Sequence, residues 1–475
     1  MATPIPDNRA AFSLEELIEA TGAIVRAGEH GAVSGVTTDS RADVAGKLFV
    51  ALTGDRFDGH DFVADVVRRG AHGVVVSRDV EVPGSASVLR VGDTLGALGG
   101  VARFHRRRWG KCVVAVGGSA GKTTTKGAIA ALLEAAMPGA VHAERGNLNN
   151  LVGAPMVLLG LRDEHGVGVV ELGTNQRGEI LRLSGIAEAD VAVLTLVAIE
   201  HSEGIGGIDA IEAEEGALFD ALGAAGTAIG NSDDERVERR LRASPAVQAI
   251  RYGSAAPAEY RVVGRKALDL HRVQVEIARP RGGPVRVETR LLGASGALAL
   301  AGGLAVAERV VGEPLPMSVI ERAVAQLGAG EAQRLCPVEL SDGSVVIDDT
   351  YNANPASVLS SAETAREIAR ERGARLLLVV GEMRELGSFS VSEHQELGRA
   401  LAILEAQALI AVGGDAAHLA AAAGPRATFA KDADEALGSV LALWQAGDVV
   451  LVKASRGVRA ERVVEGLIRA KGRAA

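Results

Sequence analysis

The stretch Val113-Val114-Ala115-Val116-Gly117-Gly118-Ser119-Ala120-Gly121-Lys122-Thr123-Thr124-Thr125 constrains this chain most. A short β-branched run leads into a glycine-rich turn. Lys-Thr follows, then Ala and Leu residues suited to a helix. Strand, loop, helix is the context a phosphate-binding loop needs. Its glycines let backbone N–H groups point inward around phosphate oxygens. The following helix aims the positive end of its dipole at the same anion. On this reading Gly118, Ser119, Ala120, Gly121, Lys122, Thr123 and Thr124 surround a nucleotide's phosphates. Lys122 reaches the outer ones and the Thr123 hydroxyl holds Mg2+. The strict pattern asks for Gly at position 116, and this chain has Val116. The plainer alternative, a glycine turn beside a surface lysine, leaves the agreement of the flanks unexplained. The loop alone does not choose among kinases, GTPases and ligases. No Asn-Lys-x-Asp base-reading motif is present, which argues against a GTPase.

A chain of 475 residues suggests about three domains. Hydrophobic content of 47% supports full cores, but aromatics at 3% leave Ala, Val and Leu to fill them. A net charge of −9 argues against a nucleic-acid partner. The one basic cluster, Arg106-Arg107-Arg108, is better read as a helix end, where cations suit the dipole. Cys112 and Cys336 have no metal-ligand spacing and imply no disulfide framework. Cys112 reads as a small core residue beside the apolar strand. Residues 1–11 lack the apolar run of a signal peptide. The most apolar stretch, 291–307, is rich in Gly and Ala and reads as a packed helix and its lead-in, not a membrane span. These features predict a soluble, cytoplasmic protein.

Along the chain, Ser13-Leu14-Glu15-Glu16 is a capping box backed by Leu14, Leu17 and Ile18. Strands are expected at 36–38, 46–52, 74–76 and 88–91, then a helix over 94–107. Polar residues follow the first two strands: Asp39-Ser40-Arg41, and the loop from Thr53 through Asp55, Arg56 and Phe57 to Asp61. Such loops bind ligands in small α/β domains, and equally they only make turns. From these residues alone both readings stand. After the phosphate loop come Gly146-Asn147-Leu148-Asn149-Asn150 and a strand ending at Glu171. An acid at the C-terminal end of such a strand suits a Mg2+ ligand. It also suits a cap on the next helix. His201 follows the strand 191–197, and a lone loop histidine is more often structural. Glu212-Ala213-Glu214-Glu215 reads as a helix opening, where acids answer the dipole. Alternation in 273–277 and 285–289 suggests an antiparallel hairpin. A helix is expected over 297–311. Four apolar strands, 345–347, 376–380, 409–412 and 449–452, alternate with helices. That argues for a parallel sheet, which binds ligands at its carboxyl ends.

Together these blocks resemble the Mur ligase family, along nearly the whole chain. The most specific are 348–355 (Asp348-Asp349-Thr350-Tyr351-Asn352-Ala353-Asn354-Pro355), 381–387, 146–150, and 39–41 with 54–62. Within the family they are most similar to the branch that joins D-alanyl-D-alanine to UDP-N-acetylmuramoyl-tripeptide, completing the peptidoglycan precursor. The Asp-Asn-Pro-Arg motif of the diaminopimelate-adding branch is missing. The resemblance implies an α/β protein of three domains. Residues 1–105 would bind the UDP-muramoyl peptide in a small α/β domain. Residues 106–312 would form a central ATPase with a mainly parallel sheet. Residues 313–475 would form a Rossmann-like domain that closes over the nucleotide and binds the dipeptide. It also implies ATP and Mg2+, ligation through an acyl phosphate, and a monomer. By likeness, Ser40, Arg41, Asn149, Asn150, Lys453 and Arg456 would meet the peptide substrates. Glu171 and His201 would join Thr123 at the metals. Arg334 would reach the phosphates, and Asp349 and Asn352 the ribose or base.

The chain departs from the family at three places. Gly117 stands where Thr is usual. Ala294, Ser295, Gly296 and Ala299 replace the Arg-His-Asn block and its further Asn, to which adenine contacts are attributed. Glu215 aligns with a carbamylated lysine that helps hold the second metal, and would be a metal-site residue itself. These changes keep two rivals open: a catalytically weak nucleotide-binding paralogue, and another amide ligase of the superfamily such as folylpolyglutamate synthase. Lys122, Glu171, His201 and Arg334 favour the enzyme, and the 39–41 and 381–387 blocks argue against the second rival.

Overall fold

The computed structural model describes residues 5–28, 31–54, 57–143, 146–327 and 334–474. Asp55 and Arg56 of the expected substrate loop lie outside them. Three large sheets follow one another along the chain. The first has five strands, in the order Ile24–Ala27, Ser87–Arg90, Gly73–Val76, Leu48–Val50, Val36–Thr37. All its neighbours pair in parallel except the outermost, Ile24–Ala27 with Ser87–Arg90. The Ser13 capping box opens helix Leu14–Thr21 as its sequence predicts.

The central sheet has nine strands. From one edge they run Val141–Ala143, Val167–Glu171, Cys112–Gly117, Val191–Leu194, Thr227–Asn231, Gln248–Gly253, Tyr260–Ala267, Val273–Ala278, Val285–Thr289. The first seven are parallel, and the last two close an antiparallel meander. Cys112–Gly117 lies inside the sheet with a core on each face, Val113 and Ala115 in one and Val114 and Val116 in the other, so its apolar run is buried on both faces. Cys112 itself is half-buried at the strand's start. Helix Gly293–Val311 begins at Gly293, four residues before the expected start. Gly293 holds φ +72°, and a Cβ there would sit 2.2 Å from Thr364 Oγ1. This helix is the one stretch among the described residues long and apolar enough to cross a membrane, and 67% of its apolar window is buried. It lies on helix Lys122–Ala136, with Gly303 against Ala128. Small residues let the two backbones approach, and this is how a chain poor in aromatics fills its core.

The third sheet runs Cys336–Glu339, Val345–Asp349, Val449–Lys453, Leu376–Gly381, Ala408–Val412, Ala427–Ala430. The four predicted strands are there and parallel. Two edge strands join them, Cys336–Glu339 antiparallel and Ala427–Ala430 parallel. Both are short, and neither buries a continuous apolar run, so hydrophobic patterning did not mark them. Val345–Asp349 extends two residues beyond its apolar run, which places Asp348 and Asp349 inside the strand.

The arginine cluster ends helix Thr94–Trp109 and does more than answer its dipole. Arg106 is buried and donates to the carbonyls of Ala187 and Glu188 and to Asp190 Oδ2. Arg107 pairs with Glu188 and Arg108 with Glu16. The three side chains tie the helix to the central sheet on one side and to the N-terminal helix on the other.

Candidate functional site

The phosphate loop spans the end of Cys112–Gly117 and the start of Lys122–Ala136. Val116 needs no glycine, because it is still in the strand with its side chain in the core. The special conformations fall later, at Gly118 (φ +119°) and Gly121 (φ +83°). A Cβ on Gly118 would meet Thr195 Oγ1 at 2.3 Å. That hydroxyl donates to the carbonyls of Gly117, at 3.1 Å, and Ala120, at 2.6 Å. Ser119 N–H donates to Leu196 O, and Ser119 Oγ accepts from Ala198 N–H. The neighbouring strand end therefore sets the loop's shape.

Carboxylates surround Lys122. Its ammonium donates to Gly118 O and lies 3.4 Å from Glu200 Oε1. Burial pushes Lys122 down, but Glu200, Glu215 and Glu171 more than offset it, so its pKa ends above the ordinary value. Glu171 ends its strand, buried, 3.3 Å from Thr123 Oγ1. Asn149 Nδ2 donates to its Oε1 at 2.9 Å, and the Lys126 ammonium lies 3.2 Å from its Oε2. Glu171 caps no helix. The next one, Glu179–Ala187, is served by Glu214, which accepts from Gly178 and Ile180 N–H. The helix carrying Glu214 and Glu215 does not open at 212–215 as the sequence suggests; it runs Ile208–Asp220, with Asp209 as the acid of its first turn. Gly207 precedes it in extended conformation with no side-chain cap, so the usual start signal is missing. Glu215 thus points from inside the helix at the loop, its Oε2 accepting from Gly118 N–H at 2.8 Å. Burial pushes its carboxyl up to about 7; the Lys122 ammonium pulls it down and Glu200 adds to the rise.

His201 (φ +48°) faces Glu385 (φ +66°) of the third sheet's loops, Nδ1 to Oε2 2.5 Å. Burial lowers the imidazole's pKa, but Glu385 and Glu200 together carry it above the ordinary value. Glu203 N–H donates to Glu385 O. Asn354 also comes from the third sheet, and its Nδ2 donates to Ser119 O at 3.1 Å and Glu200 Oε2 at 3.3 Å. Lys126 and Glu200 were given no role in the sequence, and Asn354 and Glu385 were read only as members of the 348–355 and 381–387 blocks. Lys126 had a signal, one helical turn beyond Lys122 on the same face. The others meet the site only through long-range packing.

The remaining predicted residues form two further groups. Lys453 Nζ donates to Asp349 Oδ2 at 2.7 Å and to Asn352 O at 3.0 Å, so Asp349 and Lys453 hold each other at adjacent strand ends. Arg334 stacks on Tyr351, 4.3 Å from its ring centre. Arg456 opens a short 3-10 turn just past Lys453. Asn150 Oδ1 accepts from Val152 and Gly153 N–H in the turn that leads into helix Gly153–Leu158. In the N-terminal sheet, Ser40 O accepts from Arg69, and Arg41 forms a two-point pair with Asp39 on the surface. Beside them Asp58 Oδ1 lies 2.6 Å from His60 Nδ1, while His60 Nε2 accepts from Ser77 N–H. That fixes the loop between two strand ends.

Around the phosphate loop the available donors are oxygens. Glu215 Oε1 is buried with no hydrogen-bond partner, and Glu171 Oε2 has only the Lys126 ammonium nearby. Mg2+ prefers oxygen and takes one or two carboxylates, with waters and substrate phosphates completing its shell. Among the described residues no three His, Cys, Asp or Glu converge to hold an ion unaided. The donor set therefore fits Mg2+ shared with a nucleotide.

A phosphate-binding loop ringed by carboxylates, under a second α/β sheet that reaches into it, defines a nucleotide-phosphate site shared by two units. Three family models match: the Mur ligase family catalytic domain over 32–105, the Mur ligase middle domain over 116–307, and the Mur ligase glutamate ligase domain over 333–456. The chain is 33% identical over 436 residues to the UDP-N-acetylmuramoyl-tripeptide–D-alanyl-D-alanine ligase of Escherichia coli K12, covering 91% of this chain and 93% of that one. A crystal structure of MurF from Acinetobacter baumannii superposes with a TM-score of 0.86 at 28% identity, covering 98% of this chain and all of that one. A MurF ligase from Thermotoga maritima in complex with ADP gives 0.79 at 27% identity, covering 91% and 97%. This chain belongs to the Mur ligase family.

Proposed function

We propose that the protein joins D-alanyl-D-alanine to UDP-N-acetylmuramoyl-tripeptide using ATP, giving the pentapeptide precursor of peptidoglycan. The observation that carries this reading is a lysine ammonium buried among carboxylates at a preformed phosphate loop. The relatives' shared name supports the choice of substrates. The tripeptide's terminal carboxylate oxygen attacks the γ-phosphorus, and ADP leaves. The dipeptide's amine then attacks the acyl carbon, loses a proton, and phosphate leaves. In the first step two anions must approach, and Lys122 supplies positive charge between them. Mg2+, when bound, would add to that charge, held by oxygens of Thr123, Glu171 and Glu215; His201, expected from the likeness as a further ligand, has its Nδ1 on Glu385 and would stand beside the metal rather than hold it.

We assign the remaining roles by the same reading. Residues 1–105 bind the UDP-muramoyl peptide through Ser40 and Arg41, with Asn149 and Asn150 from the central unit. Residues 106–312 bind ATP. Residues 313–475 close over it, with Arg334 at the phosphates, Asp349 and Asn352 at the nucleoside, and Lys453 and Arg456 toward the peptide. Closure keeps water from the acyl phosphate. We assign the protein as a cytoplasmic monomer by the same likeness; the burial of Gly293–Val311 inside the protein supports only the lack of membrane insertion.

The test is phosphate release. It should require ATP, the UDP-linked tripeptide and D-alanyl-D-alanine together, and Lys122→Ala should remove nearly all of it. Release that ignores the dipeptide would contradict the ligase reading. Near-normal turnover in Lys122→Ala would contradict the phosphate site.

A further inference from the structure

Asn354 has two jobs on two sides of one amide. Its Oδ1 accepts from Ser357 N–H at 2.8 Å and caps helix Pro355–Glu371, while Ser357 Oγ accepts from Asn354 N–H. Its Nδ2 leaves its own unit and donates to Ser119 O in the phosphate loop and to Glu200 Oε2. Asn354 and Glu200 are both buried. Glu200 is the shared element. Its Oε1 lies 3.4 Å from the Lys122 ammonium and its Oε2 is 3.3 Å from Asn354. His201 Nε2 is farther from Oε2, at 3.9 Å. A buried carboxylate needs all the partners it can find. Without Asn354, Glu200 has fewer partners and leans harder on Lys122.

We propose that Asn354 is a positioning residue: by donating to Ser119 O and Glu200, it couples docking of the C-terminal unit to the release of Lys122 for phosphate. The inference rests on the ATP-dependent reading of this site. When the C-terminal unit docks, Asn354 takes up one oxygen of Glu200. The carboxylate's demand on Lys122 falls, and the ammonium can turn to an incoming anion. When the unit swings away, the donor leaves and Glu200 holds Lys122. Closure and charge placement thus become one event, and ATP is activated only in a molecule already shut against water.

Asn354→Asp isolates the amide group. Asp caps a helix as well as Asn does, so the Ser357 bond remains and the melting temperature stays within about 2 °C of wild type. The donor is lost and a negative charge is gained, so a carboxylate now faces Glu200 and the Ser119 carbonyl. Two readouts follow. With ADP and Mg2+ bound, small-angle scattering should give Asn354→Asp a larger radius of gyration than wild type. In turnover its kcat should fall by about 100-fold, the size expected when a reacting group is misplaced. Asn354→Asp with Glu200→Gln removes the repulsion, and should return the radius to the wild-type value and recover kcat at least about tenfold over the single variant. Equal radii for wild type and Asn354→Asp, or a double variant no better than the single one, overturns the inference. The scattering arm needs nucleotide alone, so it decides the matter even if the peptide substrates have been misassigned.

Discussion

Glu215 stands where the resemblance implies a carbamylated lysine in the family, and the structure sets it beside Gly117, a second position of expected departure. Gly117 lies opposite, where a Cβ would come within 2.9 Å of Leu218 Cδ2 and 3.5 Å of Glu215 Oε2. A larger side chain at 117 would crowd the place from which the carboxylate reaches Gly118 N–H. A helix-dipole role fails for Glu215, since it sits about two turns inside its helix and such effects fade beyond the first turn. What remains is a buried carboxyl with one oxygen bonded to the loop and the other unpartnered, a group that a bound cation would hold in its ionised form. Glu215→Gln can keep the Gly118 bond through its amide oxygen, so it should fold normally. It should lose about 100-fold or more in kcat and need more Mg2+. Unlike an enzyme that depends on a lysine carbamate, wild type should work equally well with bicarbonate removed. Full activity of Glu215→Gln at ordinary Mg2+ would remove the metal role. The phosphate loop itself was legible because its demands are local: Gly118 and Gly121 are required by backbone conformation that neighbouring residues announce. Asn354 was not, because its cap is local but its contacts with Ser119 and Glu200 span 235 and 154 residues.

At the scale of elements, a group of histidines joins helix Thr94–Trp109 to the far edge of the central sheet. His105 Nε2 bonds to Leu161 O and His142 Nε2 to Val157 O, while His165 Nδ1 accepts from Arg162 N–H and its ring stacks on His142 at 5.0 Å. Burial holds all three imidazoles below their ordinary pKa. The sign follows directly. The unfolded chain takes up protons first as pH falls past about 6.5, so stability is full above that value and is lost as pH drops toward the depressed folded values. The melting temperature should fall between pH 7 and pH 5, and His142→Gln should flatten that fall. An equal slope in the variant would show that other groups set it. Most elements were readable from their patterns: the strand runs, the Ser13 box and the hairpin over 273–289 are local signals. The missed features share a cause. Helix Ile208–Asp220 starts at a glycine without a capping side chain, and edge strand Ala427–Ala430 carries too little apolar pattern to stand out. Each is fixed by its neighbours more than by its own residues.

On the scale of the whole molecule, the site draws its groups from two sheets. Central residues bring the loop and its carboxylates; the C-terminal unit brings Asn354 and Glu385. Helix Met317–Gln326 packs in the central core although it lies beyond the expected boundary at 312, so residues 1–327 are the fragment that should bind nucleotide yet make almost no ligated product. A fragment rate near that of the full chain would show that the C-terminal unit is dispensable. Sequence carried the order of the three units but not which side chains would meet between them, since such meetings depend on how finished surfaces dock. Much of that boundary is polar. Besides Asn354 and the His201–Glu385 pair, Arg265 grips Glu367 at 2.6 Å, while Ile199 and Leu270 packed on the C-terminal core, and Phe389 near Gly207, are among its apolar parts. Water can stand in for each polar partner when the units separate. Opening then uncovers little oily surface, so its heat-capacity change should be small. Shut and open forms would keep nearly the same balance from cold to warm, and the gaping form would offer no sticky face to its neighbours.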